Sequence, residues 1–365
     1  MRAVFLGLVC LWLASGCGAR HTASRTADAA ATRRDEGVRD EFRGALAQMK
    51  SGDCAGAVDA FDTVVLRYPE SRYVSASLYN AGLCLQRAER WEESALRYER
   101  ILVSRPGSAD TRHARFQLAF LYNETGRFQE ALAVTELLEG HTGLSSDERM
   151  EVLARRAQAL LGLGALDDAT AAADDALRFY RTRASGEAVK DPFFAASVTY
   201  VRAEVDRLRA EAIAIPEAKV ETQHAVLERR AALLLSAQRR YFDAIRVGDS
   251  YWAAAAGYRI GAMYETFWDA IMGAPVAPPA YATTHAELTV FRQHYRLRLA
   301  ELARPLLRHA IRYWELTLAM VERTGVPSEW TDRIHRDLAR TRARLSPIAD
   351  RSEAQPSRDR GGKSG

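Results

Sequence analysis

The sequence predicts an all-α protein: a solenoid of antiparallel helix hairpins, continued by an atypical C-terminal half of longer helices. Three observations predict the solenoid, and a fourth predicts its continuation. A pattern recurs through the first half, with a small residue at Ala57, Ser94, Ala131 and Ala169, spaced 37, 37 and 38 residues apart. A period in this range marks stacked supersecondary units. Turn residues fall in phase with the pattern: Gly52, Gly126 and Gly164, with Glu89 at the equivalent place in the second unit. Pro69 and Pro106 follow second helices, which a proline cannot continue. The pattern then resurfaces late, at Ala237, Tyr241 and Ala244, at Ile260, Gly261 and Tyr264, and at Ala310 and Trp314.

The 365 residues carry a net charge of +4, with acidic and basic residues interspersed, and length alone suggests two or so domains. Such mixing is not the clustered basic footprint of a nucleic-acid binder. No stretch after the first twenty residues is long and apolar enough to span a bilayer; "SYWAAAAGYRIGAMY" comes nearest, and Arg259 interrupts it.

The N-terminus reads as an export signal over residues 1–16. Arg2 precedes an apolar run from Ala3 to Ala14, then the small residues Ser15 and Gly16. Cys17 follows directly. This order resembles the bacterial lipoprotein signal, with Ala14 where leucine is commoner. The resemblance implies cleavage before Cys17 and acylation of Cys17. With Gly18 and Ala19 next and no aspartate, it implies sorting to the periplasmic face of a Gram-negative outer membrane. Residues 17–37 are small, polar and charged, and read as a lipidated N-terminus and flexible tether. About 18 such residues span roughly 25 Å on average.

Residues 38–185 read as four hairpin units. Small residues recur where paired helices cross, at Gly82, Ala119 and Ala157 in first helices and at Ala57, Ser94, Ala131 and Ala169 in second helices. Leu78, Leu118, Tyr122, Trp91, Phe128 and Tyr98 fill the space between. Arg156 occupies a normally apolar site in the fourth unit. These details resemble the tetratricopeptide repeat, which implies a right-handed solenoid. "RYPESRYVSASLYNAGLCL" resembles the Tyr-Pro-x-Ser-x-Tyr lead into a repeat seen in periplasmic tetratricopeptide lipoproteins, including the β-barrel assembly family. The C-terminal half is similar, more weakly, to envelope lipoproteins of trans-envelope machines such as gliding motility.

Residues 190–345 continue as an atypical repeat-like helical domain. A helix stops at Pro216, and a long one precedes "YRIGAMY". "MGAPVAPPAYATT" is a proline-rich loop. A helix then runs from about His285 to Thr324, kinked or restarted at Pro305. Ser328 caps a final helix ending near Leu345. Arg333, Arg336, Arg340 and Arg344 make a basic stripe on it, solvated by default and otherwise fit for lipid headgroups or an acidic partner. Residues 346–365 lack apolar residues for a core and read as a disordered tail.

No metalloprotease, phosphate-loop, serine-elbow or Cys-x-x-Cys motif is present. The histidines are scattered, and the paired acids Asp167/Asp168 and Asp174/Asp175 read as helix-surface charges. No cofactor, metal, small-molecule substrate or nucleic acid is expected, and the chain reads as a non-enzyme. What stacked hairpins offer is a concave binding surface. By the repeat resemblance its lining is Arg43, Lys50, Tyr79, Asn80, Arg87, His113, Gln117, Phe120, Asn123 and Arg155, a set suited to an extended peptide. Phe42, Leu46, His113 and Gln117 replace the residues of a carboxylate clamp. Cys54 and Cys84 are the two cysteines left outside the signal region, a pair that an oxidising compartment can bridge. The reading is a lipid-anchored scaffold with protein partners in an envelope complex. The alternatives are an accessory of outer-membrane β-barrel assembly and, less favoured, a cell-wall hydrolase regulator.

Overall fold

The structure, a computed structural model, describes residues 36–104, 106, 109–183, 191–217, 220–275, 277–279, 282–325 and 329–353. The expected signal, Cys17, most of the tether, Ser328 and residues 354–365 lie outside these. The described residues form thirteen helices and no strand. They are α1 (residues 36–50), α2 (Cys54–Arg67), α3 (Val74–Arg87), α4 (Trp91–Ser104), α5 (Ala109–Glu124), α6 (Phe128–Glu139) and α7 (Ser146–Gly162). There follow α8 (Leu166–Arg183), α9 (Phe193–Glu211), α10 (Val220–Val247), α11 (Ser250–Met272), α12 (His285–Thr324) and α13 (Glu329–Glu353). Contacts divide the chain into two compact units, Met1–Leu121 and Tyr122–Gly365, with the division inside α5. In a solenoid each hairpin touches only its neighbours, so no composition shift marks such a place.

In the first unit α2 packs on α3 and α3 on α4. The crossing residues are fully buried: Ala57, Ser94 and Tyr98 at 0% exposure. Ser94 Oγ donates to the Gly82 carbonyl at 2.9 Å. A Cβ on Gly82 would lie 2.6 Å from the Tyr98 ring, so only glycine permits this approach. The Tyr-Pro-x-Ser-x-Tyr segment is a junction between hairpins. Ser71 N–H bonds the Tyr68 carbonyl at 2.9 Å, and Val74 N–H bonds the Ser71 carbonyl at 3.2 Å. Tyr68 OH donates to Glu41 of α1 at 3.0 Å, while Tyr73 packs on Phe42 at 5.1 Å. The motif's polar atoms are therefore used in holding one hairpin to the next.

Each in-phase turn residue adopts the left-handed backbone: φ is 91° at Gly52, 74° at Gly126, 72° at Gly164 and 56° at Glu89. Glu89 is the one non-glycine with positive φ among the described residues. A side chain there costs about 1–2 kcal/mol, part of which glycine's larger unfolded-state entropy offsets. Glu89→Gly is expected to stabilise the first unit by about 1 kcal/mol, read as a higher denaturant midpoint with unchanged slope. A destabilised variant would show that the Glu89 side chain makes a compensating contact.

In the second unit successive helices from α6 to α13 pack in order, and α9 also reaches α7 and α11. Ser145 and Glu148 form a capping box at α7, and Asp249 caps α11 by accepting from Trp252 N–H at 2.9 Å. Arg156 settles at its apolar-type site by bonding Glu139 at 3.2 Å. Gly257 and Gly261 let α12 lie against α11: a Cβ would meet Thr317 at 2.2 Å and Trp314 at 2.3 Å respectively. α12 runs unbroken through Pro305, so the expected restart there is absent.

The last helix continues past Leu345 to Glu353. It is pinned by its arginines: Arg340 pairs with Glu265 at 2.7 Å and with Asp337 at 2.9 Å, and Arg344 with Glu265 and Asp269, each at 3.1 Å. Arg333 pairs with Glu329 at 3.0 Å and stacks on Trp330. The expected solvated stripe is thus largely a packing edge, because Glu265 on α11 is nearly buried and needs cationic partners.

Candidate functional site: a polar patch on two first helices

Hairpin stacking places α3 and α5 side chains on one face of the first unit. Tyr79, half-buried, sets its ring edge-on against buried Tyr98 at 5.4 Å and lies 6.5 Å from His113. Its hydroxyl accepts from Gln117 Nε2 at 3.3 Å. Gln117 Oε1 accepts in turn from Gln86 Nε2 at 2.9 Å, and the same nitrogen approaches Tyr98 OH at 3.4 Å. A tyrosine, two amides and an exposed imidazole therefore form one connected patch. Phe120 continues it, edge-on to Trp91 at 5.9 Å. Chemically the patch offers amide donors and acceptors beside aromatic surface, the means to hold an extended backbone and cover an apolar side chain.

Gln86 was not among the sequence-predicted lining residues. It lies seven positions after Tyr79, two helical turns along the same face, so α3 periodicity alone carries the signal. Asn80 sits beside Tyr79, but its amide nitrogen bonds the Ala76 carbonyl of its own helix at 2.7 Å. Arg43 and Lys50 are exposed on α1, with Arg43 lying 4.0 Å from Asp40.

Two sequence-predicted lining residues have packing roles instead. Asn123 Nδ2 donates to the Arg155 carbonyl at 3.1 Å, joining α5 to α7. Arg155 is only 8% exposed. It lies 3.7 Å from Glu151, donates to Gln158 at 3.3 Å and stacks over Phe194 of α9 at 5.3 Å. Burial lowers its pKa, against the opposing pull of Glu151. A side chain this enclosed is not surface lining.

Cys54 opens α2 and Cys84 lies near the end of α3, in one apolar cluster with Phe61 and Leu85. Both are free thiols in the structure. Burial, and then a hydrogen bond with Cys54, push the Cys84 thiol up to about 12. The expected closeness of the pair is present. Arg87, one turn after Cys84, brings its guanidinium to 4.0 Å from the Cys54 sulfur.

Among the described residues no group of three or more His, Cys, Asp or Glu is arranged to hold a metal ion. The paired acids are engaged with arginines: Asp167 with Arg209, Asp174 with Arg202 at 2.7 Å, and Asp175 with Arg178. No helix of the described residues is long and apolar enough to cross a membrane.

Residues 41–71 match the sequence model of the tetratricopeptide repeat. They cover most of the α1–α2 hairpin and the junction after it. Among solved structures, a tetratricopeptide repeat protein from Parabacteroides merdae is similar over 84% of this chain and 99% of that one, at 16% identity and a TM-score of 0.41. A putative kinesin light chain from Podosopora anserina, with nearly identical TPR-like repeats, is similar over 56% of this chain and 98% of that one, at 17% identity and a TM-score of 0.38. No curated protein matches the chain. Likenesses this distant carry no functional argument; the repeat match and the hairpin geometry carry the fold.

Proposed function

We propose that the chain is a lipid-anchored, non-enzymatic scaffold that holds protein partners of an envelope complex. The observation that carries the binding role is the connected patch of Tyr79, Gln86, His113 and Gln117 on adjacent first helices. A partner segment lying across α3 and α5 meets all four at once. The anchoring role rests on Cys17 and the signal-like run before it. In the oxidising compartment this reading implies, Cys54 and Cys84 are the pair placed to bridge. The Tyr-Pro-x-Ser-x-Tyr segment supports hairpin stacking and does not favour the barrel-assembly reading over a general scaffold.

The test is crosslinking in cells, with a photoreactive residue on the patch, comparing three chains. A triple variant, Gln86→Ala, His113→Ala and Gln117→Ala, is expected to keep its helical circular dichroism and melting temperature, because both ends of the Gln86–Gln117 bond are removed together. It is also expected to lose the crosslinked envelope protein about a hundredfold, at roughly 1 kcal/mol for each of the three contacts removed. Cys17→Ala is expected to leave the membrane fraction or stay unprocessed while keeping the patch intact. Full partner recovery by the folded triple variant would move the interface elsewhere. Unchanged membrane retention and lipid labelling of Cys17→Ala would sink the anchor.

A further inference from the structure

One helix of the second unit is built longer than its packing requires. α12 has 40 residues, yet its buried residues begin only at Ala303. Residues 285–302 therefore make about five turns, roughly 27 Å, with no fully buried side chain. Their start is self-sufficient. Thr284 and Glu287 form a complete capping box, and Glu287 also accepts from Thr283 N–H at 3.0 Å. Such a cap contributes about 1 kcal/mol to the start of the helix.

The segment is amphipathic. Leu288, Phe291, Tyr295, Leu299 and Leu302 recur at spacings of three and four, which places them on one face. Phe291 and Tyr295 touch, with ring centroids 5.9 Å apart. Leu302 is 65% exposed and the other four are half-buried, while exposed Val290 and Leu297 lie on the opposite face. At 100° per residue, Arg292 and Arg296 border the stripe on one side and Arg298 on the other. All three are exposed. Arg298 pairs with Glu301 at 3.1 Å; neither Arg292 nor Arg296 has an ion pair among the described residues. Among those residues α12 packs on α11 and α13 and reaches α10 through Tyr313; the core clusters that its later turns join include none of residues 285–302.

We infer that residues 285–302 of α12 bind the surface of an anionic bilayer. The helix lies in the interface plane, with its Leu/Phe/Tyr stripe at the headgroup–acyl boundary and Arg292, Arg296 and Arg298 on lipid phosphates. A second copy of this chain fits poorly, because it brings the same arginines against themselves with only Glu287 and Glu301 to offset them. The inference goes beyond the anchored scaffold and does not need Cys17 to be acylated, since it concerns α12 alone.

Hydrogen–deuterium exchange of the full chain reads these residues directly, so attachment through the N-terminus does not register. Three conditions are compared: no vesicles, phosphatidylcholine vesicles, and phosphatidylcholine vesicles with a quarter phosphatidylglycerol. Amides of 285–302 are expected to slow several-fold with phosphatidylglycerol only, and to recover at about 0.5 M salt, where surface charge is screened. Phe291→Glu with Tyr295→Glu is expected to abolish the slowing without changing circular dichroism. Arg292→Gln with Arg296→Gln is expected to weaken it by about fivefold for each arginine. No slowing on either vesicle overturns the inference. Equal slowing on both overturns the anionic preference. Slowing without vesicles that grows with protein concentration overturns it in favour of self-association.

Discussion

Trp314→Ala is expected to cost the second unit about 4 kcal/mol, near the top of the range for a buried aromatic. Trp314 is fully buried, stacks near Tyr258 and packs with Ala310, Ile334 and Leu338. Its indole N–H donates to the Tyr258 carbonyl at 3.0 Å. Truncation removes the contacts and the extra hydrogen bond on that helical carbonyl. Gly261 makes the site diagnostic, because a Cβ there would sit 2.3 Å from the indole nitrogen. Gly261→Leu alone is therefore expected to cost about 3 kcal/mol by overpacking. In the double variant the leucine enters the space the indole leaves, so the loss is expected to fall well below the sum of the two. Chemical unfolding of the three variants measures this. Strict additivity would mean that α11 and α12 do not meet through this pair.

The same pair shows how far the sequence could be read. Gly261 and Trp314 were legible as a small first-helix residue and a large second-helix residue because close helix crossing demands that pairing. The turn at Glu89 was legible from phase alone, although its side chain disfavours the conformation it adopts. What local pattern could not show was where charges go. The arginines of α13 look like a solvated stripe in one dimension. Only the fold brings Glu265 of α11 beneath Arg340 and Arg344. Arg155 and Asn123 fail as surface residues for the same reason: the periodicity that puts them on a first-helix face cannot show that α9 arrives to cover Arg155 with Phe194. The patch on α3 and α5 was partly legible, since Tyr79, His113 and Gln117 share a register. Gln86 shares the α3 face with Tyr79, but only the fold brings its amide to Gln117 of α5 and near Tyr98 of α4.

Arg207→Met is expected to cost the second unit a further large amount, about 3 kcal/mol at neutral pH, by stranding a buried carboxylate. Glu204 of α9 is 4% exposed. It is bonded by Arg207 at 2.5 Å, lies 3.3 Å from Arg259 and accepts from Tyr241 OH. Burial alone would push the Glu204 carboxyl up, but Arg207 and Arg259 outweigh it and hold the carboxyl below its usual range. The folded state therefore binds the proton less readily than the unfolded chain. The stability this group contributes is present above the ordinary carboxylate range and is lost as pH falls through the depressed value. In Arg207→Met the balance reverses. With one guanidinium gone, burial dominates and the folded carboxyl takes up a proton more readily than the unfolded one. The variant's deficit is then largest at neutral pH and shrinks as acid protonates Glu204. Adding Glu204→Gln is expected to recover much of the loss, because a neutral amide still accepts from Tyr241 and leaves no charge unpaired. Melts of the wild type, single and double variants at about pH 5 and pH 7.5 separate the cases. A single variant that loses under about 1 kcal/mol, with the wild type's own pH dependence, would show that water reaches Glu204 and that the network is not a buried one.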